Sequence, residues 1–75
     1  MGIEIKDMPQ IELVKVIEET KNGGLLDFLV DEDIYWVSYL NNEGSFVVDT
    51  FIDSPKYFNT PAETANYISS IFAHK

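Results

Sequence analysis

Apolar residues recur along the first third of the chain at spacings of three, at Met8, Ile11, Val14 and Ile17, with Leu13 widening the stripe. That period predicts an amphipathic helix, N-capped by Asp7 with Pro9 in its first turn and stopped at Asn22-Gly23-Gly24. Ile3 and Ile5 ahead of it predict a short extended start. The period then changes to two. Leu26, Phe28 and Val30 alternate with Asp27 and Leu29, Asp31-Glu32-Asp33 forms a turn, and Ile34–Leu40 and Phe46–Ile52 are aromatic and β-branched strands. Asn41-Asn42-Glu43-Gly44 between the last two fits a three-residue hairpin loop, with Gly44 in the left-handed position of a bulge. Thr60-Pro61-Ala62-Glu63 reads as a capping box with proline at the first helical position. Ala65, Ile68, Ile71 and Phe72 then give the last helix its apolar face, and His74 and Lys75 lie at its dipole-favoured end. The expected architecture is one α+β domain over residues 1–75, helix–three-stranded antiparallel sheet–helix (αβββα), with both helices on one sheet face.

Hairpin register decides which strand positions face those helices, because a slip of one residue moves every side chain to the opposite face. Pairing Asn41 with Ser45 puts Ile34, Trp36, Leu40, Phe46, Val48 and Ile52 under the helices with Leu26, Phe28 and Val30. It leaves Asp27, Leu29, Asp31, Tyr35, Val37, Tyr39, Val47, Asp49, Phe51 and Asp53 on the open face. A different loop length exchanges Tyr35, Val37 and Tyr39 for Ile34, Trp36 and Ser38. In either register an apolar-rich sheet face remains uncovered.

Charge changes the meaning of that face. The chain has 13 Asp and Glu against 5 Lys, for a net charge of −8, with no Arg and no Cys. Seven of the acids (Asp27, Asp31, Glu32, Asp33, Glu43, Asp49, Asp53) lie between Asn22 and Pro55, a span that contains no Lys. Eight of the ten aromatics lie between Phe28 and Phe58, so acidity and aromaticity share the strands. Solubilising charge is ordinarily spread with both signs mixed, although acidic strand and turn positions also discourage edge-to-edge aggregation. The balance opposes direct binding to nucleic acid, whose affinity comes largely from Lys and Arg displacing counterions, and opposes an anionic membrane surface likewise. Tyr35, Trp36, Tyr39 and Phe51 could stack bases, but the interleaved charges are carboxylates.

Chemistry finds little purchase. Without Cys there is no disulfide framework and no thiolate metal site. His74 is the sole histidine and is penultimate, Asp31-Glu32-Asp33 lacks EF-hand spacing, and Gly23-Gly24 matches no phosphate-binding pattern. A non-enzymatic protein with no cofactor and no metal is expected. No signal peptide, membrane-length apolar run or N-glycosylation acceptor is present, and Lys6 stands where a myristoylation motif wants Ser or Thr. A cytoplasmic protein is expected.

The element order resembles the double-stranded-RNA-binding domain, without that family's basic contact residues. In order, size and acidic sheet the chain is also similar to the small phage-encoded anti-CRISPR proteins that occupy the DNA-binding channel of Cas9, with Asn41-Asn42-Glu43-Gly44 as the shared local feature. That resemblance implies an inhibitor that mimics nucleic acid toward a basic protein surface, in a phage or mobile-element setting. The residues expected to meet that partner are Asp27, Asp31, Glu32, Asp33, Asp49 and Asp53 for charge, and Tyr35, Tyr39 and Phe51 as desolvated anchors. The alternative is a self-associating structural or regulatory protein whose open aromatic face forms a homodimer.

Overall fold

A four-stranded antiparallel meander, order β1-β2-β3-β4, carries two helices on one face in the computed structural model, which describes residues 5–73. The strands are β1 (Leu26–Val30), β2 (Asp33–Leu40), β3 (Ser45–Thr50) and β4 (Lys56–Phe58); the helices are α1 (Gln10–Glu19) and α2 (Pro61–Ala73). The α+β class and the helix–strands–helix order agree with the sequence expectation; the sheet has four strands rather than three. β4 is the addition. Three residues following a proline carry too little alternation to announce a strand, yet Phe58 pairs with Phe46, Tyr57 with Val47 and Lys56 with Val48.

Local chemistry explains the helix limits. α1 begins at Gln10, and Pro9 rather than Asp7 occupies the cap position, with no side-chain cap; Asp7 belongs to a short 3-10 turn over Ile5–Asp7. Ile5 is therefore not extended, and the expectations for Ile3, His74 and Lys75 fall outside the described residues. At the other end α1 tightens into a 3-10 turn over Thr20–Asn22, and Gly23 ends it at φ 96°, where an L side chain would be strained. α2 starts as the sequence indicates. The Glu63 amide donates to the Thr60 hydroxyl oxygen at 3.2 Å, that hydroxyl donates to the Glu63 carboxylate at 3.2 Å, and Pro61 opens the helix.

α1 and α2 pack against each other, tied at the surface by Gln10, whose amide donates to Asn66 Oδ1 at 2.8 Å. They bury Leu13, Ile17, Ala65 and Ile68 against Phe28, Val30, Tyr35, Val37, Phe46 and Val48, one core cluster in which each large apolar side chain contributes about 1.5–3 kcal/mol. Ile11, assigned by its spacing to the apolar stripe, is 72% exposed; the buried line of α1 runs through Leu13 and Ile17 instead. Three buried threonines are each satisfied: Thr20 by the Ile17 carbonyl, Thr50 by the Ile34 carbonyl and Thr64 by the Thr60 carbonyl, at 2.6, 2.8 and 2.9 Å.

The register of β2 is the main correction. Leu40, not Asn41, pairs with Ser45, so four residues bridge the hairpin; the Glu43 and Gly44 amides both donate to the Leu40 carbonyl, at 3.1 and 2.8 Å. Gly44 does take the left-handed conformation, at φ 65°. One added loop position turns β2 over. Tyr35, Val37 and Tyr39 face the helices, while Ile34, Trp36, Ser38 and Leu40 face away. On β1 and β3 the inward residues read from the alternation, Leu26, Phe28, Val30, Phe46 and Val48, do face the helices, and Thr50 joins them; Ile52, expected with them, lies beyond the end of β3 and is 56% exposed.

Candidate partner-binding face

The sheet face away from the helices is organised in rows by the strand pairing. Leu29 stands opposite Ile34; Asp27, Trp36 and Asp49 form the next row; Ser38, Val47 and Tyr57 the next; and Leu40 and Ser45 close the hairpin. Among these, Leu29, Ile34 and Tyr57 are exposed large apolar residues, whereas Val47, small and on a central strand between Ser38 and Tyr57, is only 7% exposed. Phe51, just beyond β3, folds back so that its ring lies 5.0 Å from that of Trp36 at 60°, and is itself 83% exposed. Tilted geometry sets a ring edge against a ring face, favourable by about 0.5–1.5 kcal/mol. The β-strand positions of this face carry two carboxylates and no cation.

The residues expected at a partner surface divide between the two sides of the sheet. Asp27 and Asp49 lie on the open face and flank Trp36 in register; Asp49 also accepts the Thr50 amide at 2.8 Å through Oδ1. Asp31 and Glu32 are exposed in the two-residue turn between β1 and β2, where Asp31 takes a left-handed φ of 59°, a region Asp tolerates better than most side chains. Asp33 opens β2 opposite Val30 and is half-buried. Asp53 sits in the loop after β3, at the same end of the sheet as that turn, and accepts the Ser54 amide at 2.8 Å. Its charge also reaches the helical side: the Tyr67 hydroxyl of α2 is held above its ordinary pKa by burial first, then by Asp53 and Tyr35.

Two of the expected anchors, Tyr35 and Tyr39, face the helices instead. Tyr35 is 7% exposed and stacks on Phe28, with centroids 5.5 Å apart and planes 12° apart. Tyr39 is half-buried on the same inner face, tilted against Phe46 at 5.0 Å, and the Lys21 ammonium lies 5.7 Å from its ring centroid. Both rings are therefore occupied within the chain. On the open face their place is taken by Leu29, Ile34 and Tyr57, which are exposed, and by Trp36, which is half-buried beneath the exposed Phe51 ring. The alternation of β2 marks Ile34 and Trp36 as a set opposed to Tyr35 and Tyr39; the loop length that assigns the sets to faces is not encoded in alternation.

A groove of about 550 Å³ runs along the β1 edge, between the 3-10 turn and the end of α2. Ile5, Met8, Leu26, Phe28 and Phe72 make most of its wall, with Lys6 and Asp27 as its charged residues. Among the described residues no three acidic or histidine side chains converge to hold a metal ion, and no helix is long and apolar enough to cross a membrane. Comparison with protein-family models, curated proteins and solved structures finds no match to this chain.

Proposed function

We propose that the protein is a non-enzymatic binding module whose open sheet face engages a basic surface on another protein. The observation that carries this reading is the row Asp27–Trp36–Asp49 with Phe51 upon it: carboxylates beside exposed aromatic surface, on a face whose strand positions hold no Lys. Aromatic surface supplies the desolvation energy of a hot spot, and the carboxylates supply steering and register. Asp31, Glu32 and Asp53 extend the negative potential to the end of the sheet beside this row. Such a surface meets a groove built for phosphates with the charge that the groove expects, which makes a nucleic-acid-binding protein the fitting partner class and a cellular, inhibitor-like role the fitting setting.

The test is retention of a partner from lysate by the immobilised protein at low and at high salt, compared with an Asp27→Asn/Asp49→Asn variant. The reading requires a retained protein that binds nucleic acid, that is displaced by added DNA or RNA, and that is lost from the neutralised variant. Retention that survives high salt and is indifferent to nucleic acid contradicts it. The homodimer alternative has one observation in its favour, the run of exposed Leu29, Ile34, Phe51 and Tyr57. Sedimentation at micromolar concentration separates the two readings, because a tight dimer through this face leaves no surface for a basic partner.

A further inference from the structure

We infer that the Trp36 row is a seat for an arginine side chain, the guanidinium lying on the indole with a carboxylate on either side. The inference rests on the reading of the open face as the site of a basic partner and specifies which cation that site takes. Its geometry comes from the strand register. Asp27 on β1 and Asp49 on β3 are the direct cross-strand neighbours of Trp36 on β2. Two strand spacings separate their backbones, about 10 Å, so one indole stands between two charges. Phe51, 5.0 Å from Trp36 by ring centroids, forms a second aromatic wall, and its own exposure of 83% leaves that wall accessible.

A cation over an indole face is attracted by the ring quadrupole, and carboxylates at the ring's flanks reinforce the same potential. Lysine can satisfy a carboxylate but presents a compact, strongly hydrated charge that loses water to lie on a ring. Guanidinium is planar and weakly hydrated, and its in-plane N–H groups point outward to flanking acceptors while its face stacks. A row that offers stacking surface in the middle and acceptors at its edges therefore fits arginine. The charges at the row are Asp27 and Asp49 within it, Asp31, Glu32 and Asp53 at the neighbouring end of the sheet, and Lys6 across the β1-edge groove that Asp27 also lines. A second copy of the chain cannot fill the seat with its own kind of cation, since the sequence contains no arginine. The molecule already places a cation on aromatic rings elsewhere: Lys21 lies 5.7 Å from the Tyr39 centroid and 5.8 Å from that of Phe46, on the helical side.

Trp36 is the single tryptophan, so its emission reports this row and nothing else. The experiment titrates the full-length protein at low salt with a capped peptide of arginines alternating with glycines, with its lysine twin and with its uncharged citrulline twin. Affinities for the variants are read by anisotropy of labelled peptide. The arginine peptide is expected to change Trp36 emission and to bind about fivefold more tightly than the lysine peptide, with no binding of the citrulline peptide. Asp27→Asn and Asp49→Asn are each expected to weaken it about two- to fivefold. Phe51→Ala, at a position 83% exposed, should reduce the preference for arginine. Equal affinities for the arginine and lysine peptides with unchanged Trp36 emission would overturn the seat and leave the basic-partner reading standing. Failure of both peptides to bind at low salt would overturn both.

Discussion

The two faces of one sheet have nearly the same residue types and opposite surroundings. The helical face carries Phe28, Tyr35, Tyr39, Phe46 and Phe58, paired among themselves or with Phe72 and Tyr67 of α2 at centroid separations of 5.0–5.7 Å. The open face carries Trp36, Phe51 and Tyr57, of which Phe51 and Tyr57 are exposed. Aromatic content alone distinguishes neither face. What separates them is company: the inner rings are closed over by Leu13, Ile17, Ala65 and Ile68, while the outer row is interrupted by Asp27 and Asp49. Carboxylates are tolerable there because solvent reaches them. The same two acids on the inner face would bring unpaired charges into the core. An aromatic surface kept wet by its neighbours is a surface suited to binding something else.

Substitutions at adjacent positions of β2 test the contrast most strongly. Tyr35→Ala removes a ring stacked in the core and is expected to cost about 3 kcal/mol, whereas Ile34→Ala, one residue away and 39% exposed, should cost under about 1 kcal/mol. Urea unfolding of the two variants measures the difference. Equal losses, or a larger loss at Ile34, would mean that β2 is turned the other way. Within α2 the covering layer depends on its start, and Thr60→Ala, which deletes the acceptor of the Glu63 amide, is expected to cost about 1 kcal/mol by the same measurement.

A finer effect concerns Asp53, whose loop joins the two sides. Because Tyr67 has a raised pKa in the folded protein, its neutral form is favoured by folding. That contribution is complete below the ordinary tyrosine value of about 10 and declines as pH rises through and beyond it. Stability should therefore fall more steeply at alkaline pH in the parent than in Tyr67→Phe. Asp53→Asn, by removing a negative charge beside the phenol, should bring the Tyr67 titration, followed by phenolate absorbance, down toward its usual range. An unchanged titration would place Asp53 with the open face alone.

Much of the fold was legible because it is written in local signals. The Thr60 cap, the Pro61 start, the Gly23 stop and the alternation of β1 are properties of neighbouring residues, and each is present in the structure. The candidate site was legible in part. Asp27, Asp49 and Phe51 lie on the open face, while Tyr35 and Tyr39 were exchanged for Trp36 and Ile34 because Asn41–Gly44 forms a four-residue loop in place of a three-residue one. Both loops place Gly44 in the left-handed region, so the glycine does not discriminate between them. What selects the register is tertiary: with Tyr35 inward its ring meets Phe28, and with Tyr39 inward its ring meets Phe46 and the Lys21 ammonium. β4 was invisible for a related reason, since its three residues owe their strand geometry to the edge of β3.

The proposed docking surface for a basic partner is the open face, and within it the Trp36 row. Amide and indole chemical shifts of the isotope-labelled protein, followed during titration with the alternating arginine–glycine peptide, address it residue by residue. The expected result is that perturbations concentrate at Asp27, Ile34, Trp36 with its indole N–H, Asp49 and Phe51, and fade as salt is raised. Perturbations confined to α1 and α2, with the Trp36 indole signal unmoved, would contradict it.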